Sequence, residues 1–179
     1  MELEITTVKN ANTATDKEEH TNNMSKTPKQ TKVETRYLMM PQHLNQHGTL
    51  FGGAVMSWID SAAAMAAQRH AGNDVVTASI DKISFHAPAK LGDQIVLQAV
   101  VTYAGKTSME VEVEVFREDP VEGEIRLSTR AYLTFVAVDE EHKPVTVPAL
   151  LIETDEEEKK HKEAVKRVNK RREERNNQN

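Results

Sequence analysis

The fold turns on one stretch and on the change of rhythm that follows it: Ala54-Val55-Met56-Ser57-Trp58-Ile59-Asp60-Ser61-Ala62-Ala63-Ala64-Met65-Ala66-Ala67-Gln68-Arg69-His70-Ala71-Gly72. Ala54, Ala62, Ala63, Ala64, Ala66 and Ala67 are strong helix formers. Val55, Met56, Ile59, Ala63 and Ala66 recur at the three- and four-residue spacing of one buried helical face. Gly72 stands where a C-cap belongs. The spacing predicts a helix from Ala54 to about Ala71. So many alanines make it thin, as a helix lying tightly against a curved sheet must be.

Beyond Gly72 the hydrophobic period drops from about 3.6 to 2. Val75–His86, Gln94–Tyr103, Ser108–Arg117 and Glu124–Val138 read as strands. Glu110-Val111-Glu112-Val113-Glu114-Val115 alternates strictly, which predicts one wet face and one buried face. Pro88 with Leu91-Gly92-Asp93, Ala104-Gly105-Lys106, and Glu118 to Gly123 supply turns short enough for hairpins. Upstream, Lys32 to Met40 reads as a first strand. A loop led by Pro41 follows, holds Asn45 and Gly48, and ends at Gly52-Gly53. One strand, one buried helix and four more strands make an α+β fold, an antiparallel sheet wrapped around one long helix.

The rest of the chain frames that unit. All eight aromatic residues fall between Tyr37 and Phe135, so the foldable part is about 120 of the 179 residues, 32–152. Residues 1–31 carry no sustained apolar period and read as a disordered or appended tail. Residues 153–179 hold 8 acidic and 9 basic groups, acidic first and basic last, which suits a helix macrodipole and pairs such as Glu158–Lys162. This segment reads as a solvated helical extension. A domain of this size buries only about two-thirds of its unfolded surface, so an oligomer interface is expected to help. Residues 32–152 carry 10 basic and 15 acidic side chains, leaving no broad basic face for nucleic acid. No apolar run reaches the length of a membrane span, and no signal-like apolar stretch opens the chain. With no cysteine there is neither a thiolate metal site nor a cysteine nucleophile. A cytoplasmic protein is expected.

Three features carry chemistry. His47-Gly48-Thr49-Leu50-Phe51-Gly52-Gly53 runs into the helix, whose first-turn N–H groups lack internal partners. Paired glycines let a ligand approach those N–H groups, which favour an anion or a carbonyl oxygen gaining charge. A tight loop-to-helix turn is the plain alternative. Asp60 is a carboxylate among Trp58, Ile59, Ala62, Ala63 and Ala64, with Met56, Ser57, Ala63 and Ala64 as its i±3 and i±4 neighbours. A buried carboxylate is either paired with a basic group from elsewhere or functional. Asn45 offers an amide that holds a water or a carbonyl without changing charge. Together these suffice for hydrolysis of an activated acyl compound. His43 and His47 lack a third ligand, so no metal site is expected. Neither a G-x-S-x-G elbow nor a P-loop is present.

The run Asn45-x-x-Gly48-x-x-Phe51-Gly52-Gly53-x-x-Met56-x-x-x-Asp60, followed by Phe85-x-x-Pro88-x-x-x-Gly92-Asp93, resembles the hotdog-fold acyl-CoA thioesterases over residues 33–150. The similarity is nearest to the single-domain bacterial acyl-CoA hydrolases and the tandem-domain brain acyl-CoA hydrolase. It implies a five- or six-stranded antiparallel sheet around the helix, a homodimer as the minimum unit and trimers of dimers beyond it. The active site would lie at the dimer interface, with Asn45 of one protomer facing Asp60 of the other. Asp60 would act as general base or nucleophile, and Gly53 with its neighbour would donate N–H groups to the thioester oxygen. Gly52, Phe51 and His47 would contact substrate. Acyl-CoA would be substrate and CoA product, with no separate cofactor. Lys106-Thr107-Ser108, Arg130 and Lys82 are candidates to meet the CoA phosphates, against the plain alternative of solvated turn and strand residues. The rival reading is a regulator that binds acyl-CoA without turnover. It would want a basic helix-turn-helix ahead of the domain, whereas residues 1–31 are short, near neutral and aperiodic.

Overall fold

A computed structural model describes residues 25–81, 83 and 88–177. Five strands form one antiparallel sheet: β1 (Val33–Leu38), β2 (Asp74–Ile80), β3 (Gln94–Ala104), β4 (Ser108–Asp119) and β5 (Glu124–Val138), in the order β1-β3-β4-β5-β2. Three helices accompany it: α1 (Pro28–Thr31), α2 (Gly52–Ala71) and α3 (Asp155–Asn176). The expected α+β architecture is present, with five strands. No helix among the described residues is long and apolar enough to cross a membrane.

Helix α2 sits on one face of the sheet through Val55, Ile59, Ala62, Ala63, Ala66 and Ala67, all essentially inaccessible, against Leu97, Val101, Val111, Val113, Leu133 and Phe135. Met56, expected on the buried face, is exposed, and Ala62 and Ala67 take part instead. The helix begins at Gly52 rather than Ala54, so both glycines lie inside its first turn. It ends as expected at Gly72, whose φ of 69° is the left-handed conformation that a Cβ would strain. In the last turn, buried His70 donates its Nε2–H to the Pro148 carbonyl, 2.8 Å away, tying the helix end to the segment after β5.

Three boundaries differ from expectation. β2 ends at Ile80, and the part of the expected strand at 82 and 84–86 lies outside the described residues, as do 1–24. Residues 28–31 belong to the domain: Thr27 and Gln30 form a reciprocal capping box, and Thr31 is buried with its hydroxyl accepting from the Val101 N–H. The largest difference concerns the C-terminal segment. It forms a helix started by the Thr154–Glu157 capping box, with the Glu158–Lys162 pair in place, but it is not a solvated extension.

Helix α3 covers the outer face of the sheet, so the face of β4 expected to be wet is closed. Ala164 is fully buried, and Glu110 and Glu112 are 0% and 4% exposed. Arg167 and Arg171 both bind the Glu110 carboxylate, at 2.7 and 2.6 Å, while Thr102 donates its hydroxyl to the same group. Arg167 also lies 3.7 Å over the Tyr132 ring, and Lys160 pairs with Glu112 at 2.6 Å. A buried carboxylate survives only when its charge and lone pairs are matched, which is the arrangement here. The alternating pattern was read correctly as a strand, but its polar face meets cations of a distant helix instead of water.

Removing the Glu110 carboxylate leaves Arg167 without its ion pair and Arg171 with Asp81 alone, while both guanidinium groups keep only about a fifth of their surface in water. Glu110→Ala is expected to cost about 3 kcal/mol in urea unfolding; a loss below about 1 kcal/mol would contradict the arrangement. Neighbouring Glu114 adds a pH dependence. Burial alone would push its carboxyl up, but the Arg130 hydrogen bond and the Lys160 charge outweigh burial and hold it below the usual glutamate range. A depressed carboxyl contributes stability that is complete above that range and lost as pH falls through its folded value. Thermal scans across acidic pH should therefore fall less steeply for Glu114→Gln than for the parent.

Candidate active site

The approach to α2 is held by side chains of its own loop. Met40 leads into a single 3-10 turn at Pro41–His43, and the Met40 N–H donates to His43 Nδ1 at 3.2 Å. His43 meets the Trp58 ring edge-on at 5.0 Å, and Tyr37 stacks on Trp58 at 4.3 Å. The loop is thus clamped between β1 and the second turn of α2. Asn45 organises its far side. Its Oδ1 accepts from the His47 and Thr49 N–H groups at 2.9 and 3.2 Å, and its Nδ2 donates to Thr49 Oγ1 at 3.0 Å. Gly48, at φ 71°, makes the tip of this turn. His47 is exposed and lies 3.3 Å from the Gln46 amide, so it is not tied to the helix entrance.

Phe51 is the N-cap residue, in extended conformation, and more than half of its surface is exposed. Its carbonyl accepts from the Ala54 and Val55 N–H groups at 3.0 and 3.3 Å. The N–H groups of Gly52 and Gly53 lie ahead of these bonds in the first turn, where helix geometry supplies no partner. A Cβ at Gly53 would stand 2.5 Å from Phe51 Cε1, so this glycine lets the ring fold back over the turn.

Asp60 lies two turns further along α2. It is half-buried rather than deeply buried, and it is bound through a hydroxyl rather than a cation: Thr77 of β2 donates to its Oδ1 at 2.8 Å. Thr77 was not singled out in the sequence. The signal was present, because Thr77 alternates with Val75, which packs on the core, and so turns a polar side chain to the helix side of the sheet. Within one protomer the structure joins Asp60 to Thr77, but among the described residues it records no contact between Asp60 and Asn45.

The remaining candidates separate. Arg130 is engaged by Glu114 at 2.6 Å and Glu112 at 3.4 Å. Lys106 is exposed in the β3–β4 turn, whose carbonyl accepts from the Val147 N–H. Thr107 and Ser108 face a cleft beneath α3. Lys82 and Phe85 lie outside the described residues. Asp93 of the second motif is structural: it accepts from the Lys90 N–H and pairs with Arg117 at 2.6 Å, holding the turn before β3. No group of three or more metal-binding side chains occurs among the described residues.

A fixed helix N-terminus and a carboxylate pinned by a hydroxyl thus belong to the same helix. The model of the Thioesterase superfamily matches residues 47–124. A Bacillus subtilis protein named as an uncharacterized acyl-CoA thioester hydrolase is 43% identical over 143 residues, 80% of this chain and 83% of that one. The chain belongs to the thioesterase superfamily. Among solved structures, a Staphylococcus aureus acyl-CoA hydrolase in complex with butyryl coenzyme A, coenzyme A and coenzyme A disulfide superposes with a TM-score of 0.81 at 40% identity. That match covers 87% of this thioesterase and 94% of the other chain. The same hydrolase has been solved with an asparagine, an aspartate and a threonine each changed to alanine. Their spacing is that of Asn45, Asp60 and Thr77 here. An apo-hexameric acyl-CoA thioesterase matches with a TM-score of 0.81 at 39% identity, over 84% of this chain and 97% of that one.

The hydrogen bonds of Asn45 assign it a local duty in the thioesterase whatever else it contacts. Asn45→Ala should speed amide exchange at His47 and Thr49 about tenfold, as expected for one lost hydrogen bond in an otherwise folded loop. Exchange unchanged at these amides would contradict it.

Proposed function

We propose that this thioesterase hydrolyses acyl-CoA to a free acid and CoA, with Asp60 as the group that activates water. The observation that carries the reading is the Asp60–Thr77 pair on the exposed flank of α2, in a chain closely related to a hydrolase crystallised with butyryl coenzyme A. The Thr77 hydroxyl takes one carboxylate oxygen and leaves the other to accept a proton from water. The water oxygen attacks the thioester carbon. Charge then moves to the carbonyl oxygen, where the Gly53 and Gly52 N–H groups at a helix N-terminus stabilise it. Collapse of the tetrahedral adduct expels the CoA sulfur, which takes the proton held by Asp60. Direct attack by Asp60 through a mixed anhydride is the other course open to the same carboxylate.

One protomer does not bring all of this together. Seven residues of helix set Asp60 about 10 Å along the axis from Gly53, whereas a reacting carbonyl needs both its attacking group and its oxyanion donors at about 3 Å. A second copy that offers its own helix N-terminus and Asn45 loop to this Asp60 closes the gap. The exposed surface supports such pairing: β2 is an edge strand with Val76 and Ile80 exposed, and Phe51 at the N-cap and Met56 and Met65 on α2 are exposed too. An uncovered edge with apolar side chains is a surface that pairs. The reading therefore includes a homodimer as the catalytic unit, assembled further as a trimer of dimers.

Asp60→Asn is expected to lower kcat for butyryl-CoA by about 10²- to 10⁴-fold, the usual span for loss of a positioned base, while the folded protein keeps its melting temperature within a few degrees. Near-parental kcat in a folded variant would sink the assignment. Mixed oligomers of inactive Asn45→Ala and Asp60→Ala chains should recover part of the activity, because one of two shared sites is then intact. Failure after subunit exchange is verified by mass would reject the shared site.

A further inference from the structure

The loop that leads into α2 folds back on itself as a short antiparallel pair. The Asn45 N–H donates to the Thr49 carbonyl at 2.8 Å, Leu44 bridges Leu50, and the Phe51 N–H donates to the His43 carbonyl at 2.8 Å. Phe51 is the N-cap of α2, so the main chain of His43 sets where the first turn of the helix begins. The Gly52 and Gly53 N–H groups follow directly from it. His43 thus carries the helix entrance on its carbonyl, while its own place is fixed by its ring.

That ring makes two contacts. Its Nδ1 accepts from the Met40 N–H at 3.2 Å, closing a turn that the His43 N–H also holds by donating to the Met40 carbonyl at 2.9 Å. The ring also meets Trp58 edge-on in the second turn of α2. A main-chain N–H can only donate, so Nδ1 must offer its lone pair and the imidazole is bound in its neutral form. Protonation would set one N–H against another. Leu44, Asn45, Thr49, Leu50 and Phe51 carry no titratable side chain, so within this pairing the charge dependence falls on His43. The elements packed around the ring supply no counter-charge. Trp58 of α2 touches it, and Tyr37 of β1 stacks on Trp58. Arg36 of β1 is engaged by Glu34 and Glu118, and Asp60 of α2 by Thr77. Before β3, Asp93 pairs with Arg117 and Lys90 is exposed, as is His47 at the loop tip. Among the described residues no ion pair reaches the imidazole.

We infer that His43 is a positioning residue for the hydrolysis proposed above: its neutral ring holds the first turn of α2 where the Gly52 and Gly53 N–H groups meet the thioester oxygen, and protonation releases that turn. It touches no reacting atom. The inference rests on the acyl-CoA reading and adds to it a loss of turnover on the acid side that belongs to the oxyanion donors rather than to the base. Histidine changes charge over roughly pH 5 to 8, above the range of ordinary carboxylates. A displaced oxyanion donor weakens the transition state more than the bound substrate, so the loss falls on kcat and spares KM.

Asparagine and leucine at position 43 separate the acceptor from bulk, because asparagine offers an oxygen close to the place of Nδ1 and leucine offers none. In the full chain, His43→Leu is expected to lower kcat for butyryl-CoA about tenfold or more with KM within about twofold. His43→Asn should recover most of that loss. Parental kcat should fall through a histidine step between roughly pH 8 and pH 5, and His43→Asn should lack the step and keep only the carboxylate limb below it. Parental kcat in a folded His43→Leu protein, no recovery with asparagine, or the same histidine step in His43→Asn would overturn the assignment. Hydrogen exchange at the Met40 and Phe51 amides reads the contact apart from turnover: faster in His43→Leu, near parental in His43→Asn. If exchange behaves so while the parent hydrolyses no acyl-CoA, the hydrolysis reading fails and the tie between His43 and the helix entrance stands. If the parent hydrolyses butyryl-CoA while exchange at Phe51 is indifferent to residue 43, the tie fails and the hydrolysis stands.

Discussion

The close seat of α2 on the sheet governs the rest of the structure. Four alanines, Ala62, Ala63, Ala66 and Ala67, are all fully buried at the contact, so the helix axis lies nearer the sheet than leucines would permit. That closeness has a chemical result. A threonine side chain is short, and Thr77 reaches Asp60 at 2.8 Å only because β2 and α2 are drawn together. A helix with bulky contacts would be pushed outward by overpacking and would part the pair. The same seat fixes the first turn of the helix, since Trp58, in contact with both Tyr37 and His43, fastens the incoming loop.

On the other side, the sheet is closed by charge. Antiparallel sheets often leave one face in water, but here α3 takes its place, and the polar side of β4 supplies the acids that receive its cations. A buried ion pair is weak evidence for net stability, because desolvation offsets much of the attraction. Its effect is on placement. Arg167 and Arg171 are four residues apart and converge on one carboxylate, which sets both the rotation and the position of α3 along the sheet. Arg171 then spans to Asp81 and joins the end of the edge strand to the same helix.

This division explains what could be read from the chain. Features set by local rhythm were legible: β3, β4 and β5 begin at Gln94, Ser108 and Glu124 as their periodicity indicates, and Gly72 stops α2. Features set by distant partners were not. Glu110 looks solvent-facing in its own strand, and nothing local says that arginines some sixty positions later will cover it. The glycine pair reads as loop because glycine is a poor helix former, although the first turn tolerates it where no intrahelical bond is owed. Asp60 stood out as a carboxylate in an apolar helix, whereas Thr77, an ordinary strand residue by type, gained its meaning only from the aspartate opposite. Arg130 shows the converse: a basic residue in a strand, free in the sequence, is spent on Glu114 in the fold.

The bulge at Ala78 ties the two faces together. In a regular strand, Thr77 and Ser79 would share a face. The extra residue changes the parity, so that two side chains a short step apart serve opposite surfaces. It falls on the edge strand that helix α2 and the end of α3 approach from opposite faces. Thr77 is thereby turned to the helix side, where it holds Asp60, while Ser79 turns to the outer face, and the ladder between β2 and β5 resumes on either side of the bulge.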